Sequence, residues 1–93
     1  MYNTVPLPRD TARSLADRFI ALRKLRKWTQ AETARRSGVS LGSLKRFEQR
    51  GEISLKHLLQ LSHVLQRLPD FEGVFAYDAD LEEARRRFAE MED

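Results

Sequence analysis

Within the stretch SLGSLKR, Ser40, Ser43, Lys45 and Arg46 set two hydroxyls, an ammonium and a guanidinium close together in the chain. A guanidinium is a planar fork of donors that fits guanine O6 and N7. An ammonium is a point charge for a base edge or a phosphate, and a hydroxyl donates or accepts. Such a set suits reversible hydrogen bonding to a polyanion rather than bond making. Arg50 extends the basic row and is a candidate phosphate clamp.

Groups suited to catalysis are not arranged for it. His57 and His63 are six apart, which on a helix is about 600° of turn, so they form no metal pair. Asp78, Asp80, Glu82 and Glu83 read as the solvated acidic start of a helix. No GxxxxGK(S/T), GxSxG or HExxH run occurs. The chain has no cysteine, which removes disulfides, thiolate metal sites and a cysteine nucleophile. The expectation is a protein with no catalytic residue, no metal and no cofactor: not an enzyme.

At 93 residues there is room for one domain and a modest core. The longest apolar stretches fall far short of the roughly 20 residues that cross a bilayer, and MYNTVPLPRD lacks an apolar signal core. These features predict a soluble, cytoplasmic protein with no membrane partner. The net charge of +3 conceals an asymmetry: residues 1–50 carry twelve Lys/Arg against four Asp/Glu, and residues 51–93 carry five against ten. A basic front half suits nucleic acid, with an acidic partner segment behind it; ordinary solvated charge is the alternative.

The elements that must position the polar stretch are helical. Pro6 and Pro8 predict a flexible arm over 1–10. From about Thr11 a first helix places Ala12, Leu15, Phe19, Leu22 and Leu25 on one face. Thr29 with Glu32 is a capping-box signature for a short second helix to about Arg36, closed by Gly38. Ser40 caps a third helix in which Leu44 and Phe47 point inward, leaving Ser43, Lys45 and Arg46 outside, with Gly51 as the stop. Ser54 caps a fourth helix with Leu55, Leu58, Leu59, Ser62 and Leu65 on its apolar face, ending at the Leu68–Pro69 step. DFEGVFAYD has the short period of an extended piece. The tail DADLEEARRRFAEMED predicts a fifth helix with Leu81, Ala84, Phe88 and Met91 on one face.

RRSGVS supplies a turn in which Gly38 takes a left-handed conformation, Ala34 lets two helices approach and Val39 plugs the angle between them, so the pattern is a helix-turn-helix. Arg23, Thr29-Gln30, Ala34, Gly38-Val39-Ser40, Leu44 and Glu48, followed by the Leu-rich helix, resemble the phage-repressor-like helix-turn-helix family of the xenobiotic-response-element type. The resemblance implies an all-α, five-helix lambda-repressor-like bundle over 11–68, with the short extended segment and C-terminal helix beyond it. The third helix would lie in the major groove of a double-stranded DNA operator. Carried over by position, Gln30 would bind a phosphate and brace the third helix, and Ser40, Leu41, Gly42, Ser43, Lys45 and Arg46 would face DNA. The family also pairs an Arg from helix one with the Glu ending helix three, here Arg23 and Glu48. Trp28 reads as a core anchor, and Arg9, Arg13, Arg35 and Arg36 as phosphate contacts or solvated side chains.

Departures from the family pattern bear on the reader itself. Leu41 and Gly42 replace polar residues that read base edges. Leu41 can meet a thymine methyl, and Gly42 lets the backbone approach a phosphate at a cost of about 1 kcal/mol in helix propensity. Thr33 replaces a more usual Leu, and EQRG has one residue more than the common Glu-x-Gly, which predicts a reshaped loop.

Residues 69–93 are not needed by the bundle. Val74, Phe75, Tyr77, Leu81, Phe88 and Met91 are candidates for a homodimer contact or for holding another protein. The whole chain resembles the HipB-like antitoxin regulators found beside HipA-like kinases, which implies autorepression of an operon and binding of a kinase toxin. The competing class is a protein-binding adaptor, or toxin neutraliser, that reads little DNA sequence.

Overall fold

A computed structural model describes residues 6–76 and 79–92. The order is α1 (Pro8–Leu25), α2 (Gln30–Ser37), α3 (Leu41–Arg50), α4 (Leu55–Val64), a 3-10 helix (Leu68–Gly73) and α5 (Ala79–Glu92). No strand occurs among the described residues, and no helix among them is long and apolar enough to cross a membrane. The result is an all-helical bundle.

Side-chain caps start three helices. The hydroxyls of Thr29, Ser40 and Ser54 accept the backbone N–H of Glu32, Ser43 and His57 at 3.0, 3.1 and 3.1 Å. The capping box at Thr29 is only half made, because the Glu32 carboxylate accepts from Arg35 and Arg36 instead. Hydrogen bonds from Arg35 and then Arg36 hold that carboxyl below its ordinary pKa. Helix α1 begins at Pro8, ahead of the predicted Thr11: proline is pre-set for the first helical position, and the Asp10 carboxylate accepts the Leu7 N–H at 3.1 Å.

Helix ends divide into two kinds. Gly38 (φ 77°) and Gly51 (φ 71°) close α2 and α3 in the left-handed conformation. At the ends of α1 and α4 the left-handed residue comes one position later, after the right-handed caps Arg26 and Leu65, and is Lys27 (φ 62°) or Gln66 (φ 60°). The Trp28 N–H then reaches back to the Arg23 carbonyl at 3.2 Å and the Arg67 N–H to that of Ser62 at 2.8 Å. Helix α4 therefore stops before the Leu68–Pro69 step. The segment expected to be extended is a 3-10 helix as far as Gly73, followed by Val74 in extended backbone and Phe75 in the left-handed region, while Tyr77 and Asp78 lie outside the described residues. Pro69 favours a helical turn there, an Arg67–Asp70 ion pair of 2.9 Å spans it, and a lone extended piece has no ladder to join.

The core is Ala16, Phe19, Val39, Leu44, Phe47, Leu61 and Leu65, with Ile20, Leu22, Trp28, Ala34, Ile53 and Leu58 packed around it. Phe19 and Phe47 meet with ring centroids 5.4 Å apart at 56°, the tilted arrangement favoured by aromatic quadrupoles. The buried line of α1 is Ala16, Phe19 and Arg23, rotated from the predicted Ala12–Leu25 stripe, and Leu25 is 78% exposed. Its apolar residues cover too wide an arc to specify one face; contact with α3 selects it. In α4, Leu61 and Ser62 turn inward while Leu55, expected on the apolar face, lies exposed.

Candidate nucleic-acid interface

Helix α3 is secured along its inner side by two arginines of α1. Arg23 meets Glu48 with Nε to Oε2 at 2.7 Å and Nη2 to Oε1 at 3.0 Å, both side chains nearly excluded from solvent. The third donor, Arg23 Nη1, goes to the Trp28 carbonyl at 2.9 Å, and Gln30 Nε2 donates to Glu48 Oε1 at 2.9 Å. One carboxylate thereby joins α1, α2 and α3 in a charge-assisted network. Arg13 acts from nearly three turns earlier on α1. Its Nη2 and Nη1 donate to the carbonyl oxygens of Glu48 and Gln49 at 2.7 and 3.0 Å, while Nε donates to Asp17 at 3.0 Å. Arg13 so satisfies helix-terminal carbonyls and places positive charge at the C-terminus of α3.

The end of α3 also fits tightly. A Cβ built on Gly51 would stand 3.1 Å from Ala12 Cβ and 3.2 Å from its carbonyl carbon, so α1 passes directly over the turn. The extra residue of EQRG is taken up as helix, with Arg50 as the last residue of α3 and Gly51 as its cap. Gln60 of α4 donates to the Ser37 carbonyl at 3.0 Å, fastening the end of α2. Thr33 is fully buried and spends its hydroxyl on the Thr29 carbonyl at 2.9 Å, which is how a threonine occupies this core position.

The outer side of α3 carries Leu41, Gly42, Lys45, Arg46 and Arg50, all exposed. Lys45, Arg46 and Arg50 make no hydrogen bond or ion pair with the described residues, and Glu48, the one acid of α3, is turned inward. The surface is a basic row without neutralising acids of its own helix. A shallow concavity beside it is lined by Ser43, Arg46, Glu52, Ile53, Ser54 and His57, and a second by Gly42, Lys45, Arg46, Gln49 and Arg50. A Cβ on Gly42 would meet nothing within 4 Å, so packing does not ask for glycine there.

Other residues singled out from the sequence are placed differently. Ser40 is exposed, but its hydroxyl is committed: it accepts the Ser43 N–H and donates to Ser43 Oγ at 2.9 Å. Ser43 is half-buried by that contact and the neighbouring α4 start. Gln30 is half-buried against Glu48. Arg35 and Arg36 are bound to Glu32, and the guanidiniums of Arg36 and Arg26 lie 4.4 and 5.3 Å from the centroid of the half-buried Trp28 ring. Arg13 had no local signal for its role, since its acceptors lie over thirty residues away. His57 borders the first concavity and His63 is exposed; among the described residues no three His, Asp or Glu side chains converge.

Val74, Phe75, Phe88 and Met91 are exposed, Phe75 almost completely and with a left-handed φ of 61°. Leu81 falls within α5; Tyr77 lies outside the described residues. The family model for helix-turn-helix matches residues 20–71, from α1 into the 3-10 helix. No curated protein and no solved structure matches the chain.

Proposed function

The chain belongs to the helix-turn-helix family of the lambda-repressor type, DNA-binding transcription regulators, and we propose that it acts as a sequence-specific repressor that binds its operator as a homodimer and controls its own operon. The observation that carries this is the exposed row Lys45, Arg46 and Arg50, unpaired among the described residues because Glu48, the one acid of the helix, is turned inward, on an α3 braced by Arg13, Arg23 and Gln30. A rigid helix keeps its donors in register with base edges, and unpaired cations release counterions when they meet phosphates. Arg46 is the base reader, Lys45 serves base or phosphate, Arg50 clamps a phosphate, and Leu41 meets a thymine methyl. Gln30, while bracing α3, keeps one amide N–H for phosphate. The exposed Val74, Phe75, Phe88 and Met91 support a contact role for the tail. A HipA-like kinase as a second partner, with this chain as its antitoxin, is supported by the sequence resemblance alone. No catalysis enters the proposal.

Fluorescence anisotropy on duplex from the upstream region of its own coding sequence, beside a shuffled duplex, at two salt concentrations, tests it. Tight, salt-sensitive binding to the first alone is expected. Equal weak binding to both would overturn sequence-specific repression and favour a protein-binding adaptor.

A further inference from the structure

We infer that α5 pairs with α5 of a second copy as a short parallel coiled coil, an inference that rests on the homodimer reading above and specifies its contact. Leu81, Ala84, Phe88 and Met91 recur at alternating intervals of three and four residues, the a and d positions of a heptad. Helix α5, Ala79–Glu92, spans two such repeats. Phe88 and Met91 are 58% and 76% exposed, so this part of the seam is uncovered in the single chain.

Charge selects the occupant. By register, Asp80 and Arg87 precede the two a residues, at g positions, and Arg85 and Glu92 follow the two d residues, at e positions. In a parallel, in-register pair each g residue faces the e residue five positions on in the other helix. The heptad positions of Asp80 and Arg85, and those of Arg87 and Glu92, are then matched between the two copies. Both pairs are opposite in sign, and the two-fold axis makes each of them twice. Glu82, Glu83, Arg86 and Glu90 fall at outer b, c and f positions, where they cross no seam. The helix is its own electrostatic complement, which commits the seam to a second copy. Two heptads are a short seam, and helices of this length are marginal by themselves. Pairing gains most when both copies sit on adjacent half-sites and the second contact becomes intramolecular.

The absence of native cysteine makes the test direct. In the full chain carrying Met91→Cys, mild oxidation should give a covalent dimer, because equivalent d residues are adjacent only in a parallel, in-register pair. Adding Arg87→Glu sets like charges opposite Glu92 and should weaken dimerisation, by sedimentation, on the order of tenfold. Adding Glu92→Arg to that variant should restore it. A chain that dimerises without forming the disulfide, or that ignores the charge reversal, would overturn the α5 pairing and leave the homodimer standing. A chain that stays monomeric at high concentration and on operator DNA would overturn both, and would pass the exposed face to a different protein.

Discussion

Arg23 and Glu48, twenty-five residues apart in sequence, form a two-point ion pair at 2.7 and 3.0 Å inside the bundle. Breaking such a pair from one side leaves an uncompensated buried charge. Glu48→Ala is expected to cost about 3–5 kcal/mol, read from urea unfolding. Arg23→Met with Glu48→Leu should recover much of that loss, since two desolvated charges are replaced by apolar volume. A single variant as stable as the parent would show that the pair does not brace α3.

Gly51 meets two demands at once, a φ of 71° and the passage of Ala12 at 3.1 Å. Gly51→Ala should cost about 1–2 kcal/mol for the backbone alone, with more for the displacement of α1. Gly38→Ala is the comparison. Its φ is 77°, but the new Cβ would meet only Gln60 Nε2, at 3.5 Å, an ordinary contact. Thermal unfolding should therefore rank Gly51→Ala below Gly38→Ala, and equal losses would remove the close approach as a factor.

Lys27 and Gln66 hold a conformation that a side chain disfavours. Lys27→Gly or Gln66→Gly should stabilise by about 1 kcal/mol each, which for a domain of this size raises Tm by roughly 4–8 °C. Calorimetry decides it: an unchanged or lower Tm would mean that these helices end otherwise in solution.

Gly42 costs helix stability with no packing return. Gly42→Ala should raise stability by about 0.5–1 kcal/mol and at the same time weaken operator binding, because a methyl would stand where the backbone approaches a phosphate. Improved stability with full affinity would leave Gly42 without a role at the DNA.

Arg46 and Arg50 should separate by the kind of loss. Arg46→Ala is expected to relax preference at one base position, worth about 1–3 kcal/mol of discrimination. Arg50→Ala should weaken all sequences alike and reduce the salt slope by about 1. Anisotropy against a panel of single-base operator variants distinguishes the two, and neither substitution should alter unfolding, since both side chains are exposed and unpaired among the described residues.

The sequence by itself determined what depends on neighbours in the chain. Thr29, Ser40 and Ser54 as caps and Gly38 and Gly51 as stops were legible because a hydroxyl one turn from an N–H, or a missing Cβ, acts within a few residues. Lys45 and Arg46 were legible as outward because helical period alone opposes them to Leu44 and Phe47, whereas Leu41 and Gly42 came from the family resemblance and Ser43, expected outside, is half-buried. Where α1 and α4 end was not legible, because a left-handed Lys27 or Gln66 has no signature in residue type. Only the tertiary structure decided which side of α1 is buried, that Arg13 serves the carbonyls of α3 rather than a phosphate, and that Glu48 also receives Gln30. These are properties of packed helices: the energy that selects them comes from desolvated contacts between residues far apart in sequence, which no local pattern encodes.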